Sequence, residues 1–383
     1  VSQSVKKNQE TTSFSKMTFL VLLAVTGGFF GGWFGSQSQQ RNTQSSVTRE
    51  VIESEGNLIN TIATDVSPSV VSVNVTSVGV SRDLFGFGRE FEGQSAGTGV
   101  IISEDGLIIT NRHVIPQETT EVTVTLASGE ELEAEVVGRT NDSDPLDIGF
   151  LKIKDTKGVD LTPATIGDSD SVLLGERVVA IGNALGQFQN TITSGIISGF
   201  GRDIEAFDGG GVETLQNLFQ TDAAINSGNS GGPLVNSASE VIGINVATAT
   251  AENISFAIPI NDVKGLIETV LERGKLERPY LGVRYVPLTE DSASELDLSV
   301  SEGAYIPEGT NQRPSILPDS PADKAGLQEG DIIIEIAGQR INEKNSLVSI
   351  LGKNRVDDTV EIKVLRGEEE VTLSVTLEPA PEQ

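Results

Sequence analysis

The chain reads as a mainly β protein of sandwich or barrel type, closed by one helix and followed by a smaller α+β unit. Three observations predict this. Short runs of Val, Ile and Leu recur between turn residues from about Val66 to Pro259, 41 glycines stand against only 5% aromatic residues, and helical spacing of apolar side chains first becomes clear after that stretch. With 383 residues and 37% hydrophobic content, the chain can bury two or three separate cores.

Taken in order, residues 1–17 are polar and carry Lys6, Lys7 and Lys16, and Thr18 to Gly35 then runs without a charge through FLVLLAVTGGFFGGWF. This is an export or anchoring signal. Gly-Gly-Trp-Phe-Gly-Ser-Gln follows in place of a clean Ala-x-Ala cleavage site, which favours an uncleaved membrane-spanning helix over 18–35. The lysines before it place 1–17 in the cytoplasm and the rest outside, in a bacterial periplasm or at a cell surface. Residues 36–60, rich in Gln, Ser, Thr, Asn and Arg, read as a flexible tether.

Strands are expected at Val70–Val75, Gly99–Ser103, Leu107–Thr110, Val122–Leu126, Ile148–Ile153, Val178–Ile181, Gly195–Ser198 and Val241–Asn245. Val263, Leu266, Ile267, Val270 and Leu271 then repeat at helical spacing, with Asn261 as N-cap and Gly274 as stop, so one helix closes a domain over 61–275. The second unit, 276–383, offers a strand at Tyr280–Val286, a short helix capped by Ser320 and stopped by Gly326, a strand at Asp331–Ala337 and a helix at Asn345–Leu351 ended by Gly352. Val360–Leu365 and Val371–Leu377 should pair as a hairpin across Arg366-Gly367-Glu368-Glu369.

Composition excludes several function classes. A formal charge of −28 argues against nucleic acid as a partner, since that binding neutralises phosphates with Lys and Arg. The absence of cysteine removes disulfides and thiolate chemistry, and a single histidine removes any multi-histidine metal site; no cofactor is implied.

What remains is serine chemistry. A serine hydroxyl needs a base within reach, a group that orients the base and donors for the developing oxyanion. Ser230 lies in Gly228-Asn229-Ser230-Gly231-Gly232-Pro233, a glycine-rich turn that exposes the hydroxyl and turns backbone N–H groups inward; Gly228, Asn229 and Ser230 make the candidate oxyanion hole, with Gly228 and Ser230 as its donors. His113 is the one imidazole, at the end of the apolar strand Leu107–Thr110, and Asp147 introduces another strand and can orient it. Each feature alone has a bland reading as a turn or a cap; order and spacing together point to a His-Asp-Ser triad.

At these residues the chain resembles the HtrA (Deg) family of trypsin-like serine proteases, from about Asn57 to Glu378. The resemblance rests on Thr110-Asn111-Arg112-His113-Val114, Asp147-Ile148, Gly182-Asn183-Ala184-Leu185-Gly186, Gly195-Ile196-Ile197-Ser198 and Gln220-Thr221-Asp222-Ala223-Ala224-Ile225-Asn226. It implies two six-stranded antiparallel barrels, with His113 and Asp147 on the first, Ser230 on the second and the triad in the cleft between them. The C-terminal unit resembles a PDZ domain through Ser320-Pro321-Ala322, Ala325-Gly326-Leu327 and Gly330-Asp331. That likeness implies a carboxylate-binding loop at Tyr280, Leu281, Gly282 and Val283, with a strand edge and the Asn345–Leu351 helix flanking a bound C-terminal peptide.

The resemblance also implies a primary specificity pocket based on Ala224, six residues before the nucleophile, with Ile225, Asn226 and Asn245 around it. No carboxylate waits there for a basic side chain, so cleavage of unfolded proteins after small or medium aliphatic residues is expected. The loop Gly79–Gln94 carries Phe85, Phe87 and Phe91, which either pack into the core or, as the resemblance implies, contact a neighbouring subunit of a homotrimer acting in protein quality control or envelope stress. Asn229 stands where secreted relatives of trypsin carry an aspartate that pairs with a newly cut N-terminus, so activation by zymogen cleavage is not expected. Two other readings are open: a membrane-tethered chaperone or peptide-sensing scaffold with a dormant protease site, and an esterase, which the lack of a Gly-x-Ser-x-Gly elbow weakens.

Overall fold

Six strands with apolar residues turned to one side wrap into the first barrel: β1 (Val70–Arg82), β2 (Gly88–Ile101), β3 (Leu107–Thr110), β4 (Thr119–Thr125), β5 (Glu131–Arg139) and β6 (Gly149–Ile153). They close in the order β1-β2-β3-β6-β5-β4, all pairs antiparallel, around Val71, Val73, Ile101, Ile108, Val124 and Leu132. The second barrel follows in sequence: β7 (Arg177–Ala184), β8 (Phe188–Phe207), β9 (Val212–Thr221), β10 (Pro233–Val235), β11 (Val241–Val246) and β12 (Ser255–Pro259). Its order is β10-β11-β12-β9-β8-β7, and Val178, Ala180, Ile197, Phe219, Leu234 and Ile242 fill it. Full closure leaves neither barrel an unpaired edge.

These features come from a computed structural model, which describes residues 17, 19–33, 56–82, 88–142, 144–184, 188–207, 212–226, 228–246, 253–310 and 313–381. The chain divides into two compact units, 1–60 and 61–383. In the first, residues 19–33 form a helix whose Phe19, Leu20, Leu22, Phe29 and Trp33 are exposed. Among the described residues no helix is long and apolar enough to cross a membrane. Of the spanning helix expected over 18–35, residues 19–33 are helical and rise about 22 Å at 1.5 Å per residue, while 18, 34 and 35 lie outside the described residues. Most of the tether expected over 36–60 lies outside the described residues, while 56–60 are helical.

Several sequence expectations shift. β1 and β2 run on as a hairpin to the pair Arg82 and Gly88, so much of the expected loop Gly79–Gln94 is strand; Phe85 and Phe87 lie outside the described residues. Asn261 does not cap the closing helix. That helix is Lys264–Arg273, entered through a 3-10 turn at Ile260–Val263, and Asn261 instead donates to Asp168 Oδ1 at 2.7 Å and accepts from the Ser169 N–H at 3.4 Å. Gly274 ends it as expected, at φ 68°.

The C-terminal unit pairs β13 (Pro279–Tyr280) with β20 (Glu378–Pro379) and builds a sheet from β14 (Val286–Pro287), β15 (Ala304–Tyr305), β16 (Ile332–Ile336), β18 (Thr359–Arg366) and β19 (Glu369–Thr376), with β17 (Gln339–Arg340) beside β16. The strand expected at Tyr280–Val286 is interrupted because Gly282 turns at φ +84°. Ser320 caps the helix Pro321–Ala325 and Gly326 stops it at φ +83°, while the second helix starts later than expected, Leu347–Gly352 with Ser346 as cap. The latter packs on the Ile260–Val263 turn, where Ser349 Oγ donates to Asp262 Oδ1.

Candidate active site

Antiparallel pairing of β3 with β6 sets Thr110 opposite Gly149. His113, three residues beyond that pair on one strand, and Asp147, two before it on the other, therefore leave the sheet at the same end. Asn111 is still extended, and Arg112–Val114 form a 3-10 turn that swings the imidazole toward Asp147. The carboxylate receives the His113 N–H on Oδ1 at 3.0 Å and lies 2.6 Å from Nδ1 through Oδ2. Asp147 is 1% exposed. Burial alone would push its carboxyl up, but the charge and hydrogen bonds of His113, with Arg112 close by, outweigh that and hold it below the usual carboxylate range.

A carboxylate can only accept, so a neutral His113 must carry its proton on Nδ1 and turn the Nε2 lone pair outward. Ser230 Oγ lies 2.9 Å from that nitrogen. The hydroxyl has a second neighbour, Asn111 Oδ1, at 3.0 Å. The amide cannot be the other way round, because its Nδ2 faces the Asp147 carbonyl at 2.9 Å, where only a donor fits. Ser230 has one proton, so its hydroxyl donates either to Nε2 or to Asn111 Oδ1 and not to both at once, while Asn111 itself donates to the Asp147 backbone.

The turn bearing Ser230 is held by its own backbone. Gly228 takes φ +129° and Gly231 φ +82°, and a side chain at 231 would meet the Thr98 carbonyl at 2.2 Å. Asn229 N–H donates to Asn226 O at 3.1 Å and is thereby removed from the candidate oxyanion donors. Its side chain clamps the preceding loop, donating to Ala224 O at 3.0 Å and accepting the Asn226 N–H at 2.9 Å.

Of the residues expected at the specificity pocket, Ala224 and Asn226 are exposed and Ile225 is buried, its N–H bonded to Ser255 Oγ at 3.2 Å. Asn245, expected beside the same pocket, is placed differently from Ala224 and Asn226. It is fully buried under the turn, its carbonyl taking the Gly231 N–H, its N–H reaching Gly232 O and its amide donating to Pro233 O at 3.0 Å. Arg112, which the sequence reading passed over as a site residue, is buried beside His113. Its guanidinium donates to Thr140 Oγ1 at 3.1 Å and to the carbonyls of Asn141, Asp144 and Leu146, so it clamps the loop that carries Asp147.

In the C-terminal unit, Leu281 is buried and its carbonyl accepts the Ala322 N–H at 2.9 Å; the Gly282 carbonyl accepts the Leu317 N–H at 2.9 Å, and Tyr280 pairs with Glu378. Val283 bridges to Ile316. A cavity of about 450 Å³, away from His113, Asp147 and Ser230, lies between this unit and the second barrel, lined by Arg202, Gln216, Tyr285, Leu288, Asn342 and Leu347 among others.

Comparison with known proteins agrees with both halves. A trypsin-like peptidase domain matches residues 97–244 and a PDZ domain matches 279–377. The serine protease Do-like HtrA of Bacillus subtilis is 36% identical over 345 residues, spanning 85% of this chain and 74% of the relative. The chain belongs to the HtrA family. This HtrA protein is a serine endopeptidase with a trypsin-like catalytic domain and a PDZ domain. It is also 40% identical over 292 residues to a DegP-like periplasmic serine endoprotease of Marinomonas sp., covering 75% of this chain and 58% of that one. Among solved structures it resembles the HtrA-type protease AlgW with decapeptide, at TM-score 0.59 and 30% identity, over 85% of this chain and 99% of that one.

Proposed function

We propose that this HtrA endopeptidase cleaves unfolded proteins by a triad of Ser230, His113 and Asp147. The observation that carries the reading is the unbroken chain from Ser230 Oγ to His113 Nε2 at 2.9 Å and from Nδ1 to Asp147 Oδ2 at 2.6 Å. Ser230 Oγ attacks the scissile carbonyl carbon while His113 Nε2 takes its proton; Asp147 keeps the ring oriented and stabilises the imidazolium. The carbonyl oxygen gains its charge beside the N–H groups of Gly228 and Ser230. His113 then protonates the leaving amine, and water reverses the sequence to free Ser230.

Specificity follows from the loop 224–226. With Ala224 at the base, and with Asp222 two residues earlier engaged through Oδ1 by the Ile196 N–H at 2.7 Å, Val, Ala, Ile and Thr suit the position before the scissile bond. The PDZ domain takes C-terminal peptides at Tyr280–Val283, alongside β14 and the Leu347–Gly352 helix; the decapeptide in the AlgW structure supports this use of a similar fold. DegP-like periplasmic relatives support a catalytic domain outside the cytoplasm, and the work proposed for it there is protein quality control or envelope stress. The apolar helix at 19–33, behind a lysine-bearing start, serves export and membrane attachment, and the protease domains assemble as a homotrimer.

One experiment tests the core of this. The full chain in detergent is given casein, and its cleavage sites are read by mass spectrometry with and without peptides ending in an apolar residue. Cleavage after small aliphatic residues, lost in Ser230→Ala, is expected; cleavage confined to Lys and Arg, or persisting in the variant, would overturn it.

A further inference from the structure

Thr98 sits between two glycines on β2 of the first barrel, is fully buried, and uses every polar atom it has around the active site. Its Oγ1 donates to the Gly228 carbonyl at 2.6 Å, and the same oxygen accepts the Asn183 N–H from β7 at 2.9 Å. Its own N–H donates to the Ser230 carbonyl at 2.9 Å, and its carbonyl receives the Thr110 hydroxyl at 2.7 Å, one residue before Asn111.

Chemistry fixes the direction of the hydroxyl. A backbone N–H can only donate, so Oγ1 accepts from Asn183 and has its one proton for Gly228, whose carbonyl can only accept. The peptide group between Gly228 and Asn229 is then held at both ends, its oxygen by Thr98 and its N–H by Asn226 O. Gly228 meanwhile occupies φ +129°, which side-chain-bearing residues rarely adopt, so its conformation depends on such external anchors. Both carbonyls of the two proposed oxyanion-donor residues thus rest on a single residue of the opposite barrel.

We propose that Thr98 is a positioning residue for catalysis: its hydroxyl fixes the Ser230 turn against the first barrel and so holds the Gly228 and Ser230 N–H groups toward the developing oxyanion. This rests on the reading of Ser230 as nucleophile. The side chain touches no reacting atom and acts through the turn. Removing an oxyanion donor outright lowers kcat about 10²–10³-fold, and misplacing donors that are still present should cost less.

The test uses the full chain with Thr98→Val, which keeps size and backbone bonds but loses the hydroxyl, and Thr98→Ser, which keeps the hydroxyl. Thr98→Ala serves as a second hydroxyl-free variant should valine crowd the site. A valine-containing peptide substrate gives kcat and KM, a fluorophosphonate probe gives the labelling rate of Ser230, and thermal midpoints report folding. In the hydroxyl-free variants kcat should fall about 10–100-fold while KM changes by less than about threefold, with Thr98→Ser within about threefold of wild type. A folded Thr98→Val or Thr98→Ala with wild-type kcat overturns the assignment, as does a loss confined to KM or a Thr98→Ser as slow as the valine variant. Absence of Ser230 labelling in the wild type would instead sink the nucleophile reading beneath it.

Discussion

Asp262 makes protein stability depend on pH in a direction opposite to that of most carboxylates. It lies in the 3-10 turn ahead of the Lys264–Arg273 helix and is 1% exposed. Oδ1 accepts from Ser349 Oγ of the PDZ helix at 2.5 Å, and Oδ2 from Asn217 Nδ2 of β9 at 2.6 Å. Burial pushes its carboxyl up to about 6, more than those two hydrogen bonds and the nearby Lys353 charge pull it down, and Asp170 adds a little to the rise. Because the folded value exceeds the unfolded one, the folded state binds the proton more tightly. Its contribution is fully present below about pH 4 and is lost as pH rises through 6. From 3.8 to about 6, at 1.36 kcal/mol per unit, the ionised carboxylate costs about 3 kcal/mol above pH 7. Asp262→Asn should remove that cost. Ser349 can still donate to the new amide oxygen, and Asn217, whose Oδ1 is buried without a hydrogen-bond partner, can turn its amide to accept. Urea unfolding of wild type and variant at pH 4.5 and pH 8 measures the effect, and comparing the two proteins cancels every other titration they share. The variant should exceed wild type by only about 1 kcal/mol at pH 4.5, where the unfolded carboxyl is already largely ionised, and by about 3 kcal/mol at pH 8. An equal difference at both pH values, or a less stable variant at pH 8, would refute the reasoning.

Three further outcomes are expected. Ser230→Ala should lower kcat at least about 10⁴-fold on a peptide substrate with little change in thermal midpoint, since one oxygen is removed from a turn held by backbone bonds. Ala224→Asp should raise kcat/KM for a Lys-containing peptide relative to a Val-containing one by about tenfold or more, and an unchanged ratio would dissociate residue 224 from the pocket. Arg278, largely buried and held below its usual range, near 10, by burial first, pairs with Asp144 in the loop that leads to Asp147. Arg278→Met should therefore cost about 3 kcal/mol by leaving that acid unpaired, and adding Asp144→Leu should recover most of the loss in the same urea titration.

Strands were legible where both faces are buried or where apolar residues run together. β3, Leu107–Thr110, is buried at every position and was read to the residue. β5, Glu131–Arg139, escaped because its inward Leu132 and Ala134 alternate with glutamates, leaving no apolar run to notice. β10 is only three residues long, too short for any period to register. Gly282 broke the expected strand at Tyr280–Val286 for a reason the sequence does carry, yet an isolated glycine in an apolar run reads equally well as a bulge. Asn261 is a residue type suited to capping, yet it does not cap the Lys264–Arg273 helix because Asp168 and Ser169, far away in the chain, engage its side chain.

The same distinction governs the site. His113 and Ser230 could be singled out because one histidine and one Gly-Asn-Ser-Gly-Gly-Pro run exist in the whole sequence. Asn111 and Thr98 could not, since Asn and Thr are common and their partners come only from barrel closure and the apposition of the two barrels. Asn229 lies between these cases. The sequence shows that an amide replaces a carboxylate and so cannot form a full charge pair with a new N-terminus. The structure supplies the reason an amide suits this turn: it donates to Ala224 O and accepts from Asn226 N–H at once, which an ionised carboxylate cannot do. That neutral brace fits the expectation that no cut chain end is needed to order the turn, and on the proposed reading control of Gly228 and Ser230 falls to the groups that press on it from outside. Thr98 in the first barrel is the nearest of these, because both carbonyls that flank Asn229 in the turn, those of Gly228 and Ser230, rest on it.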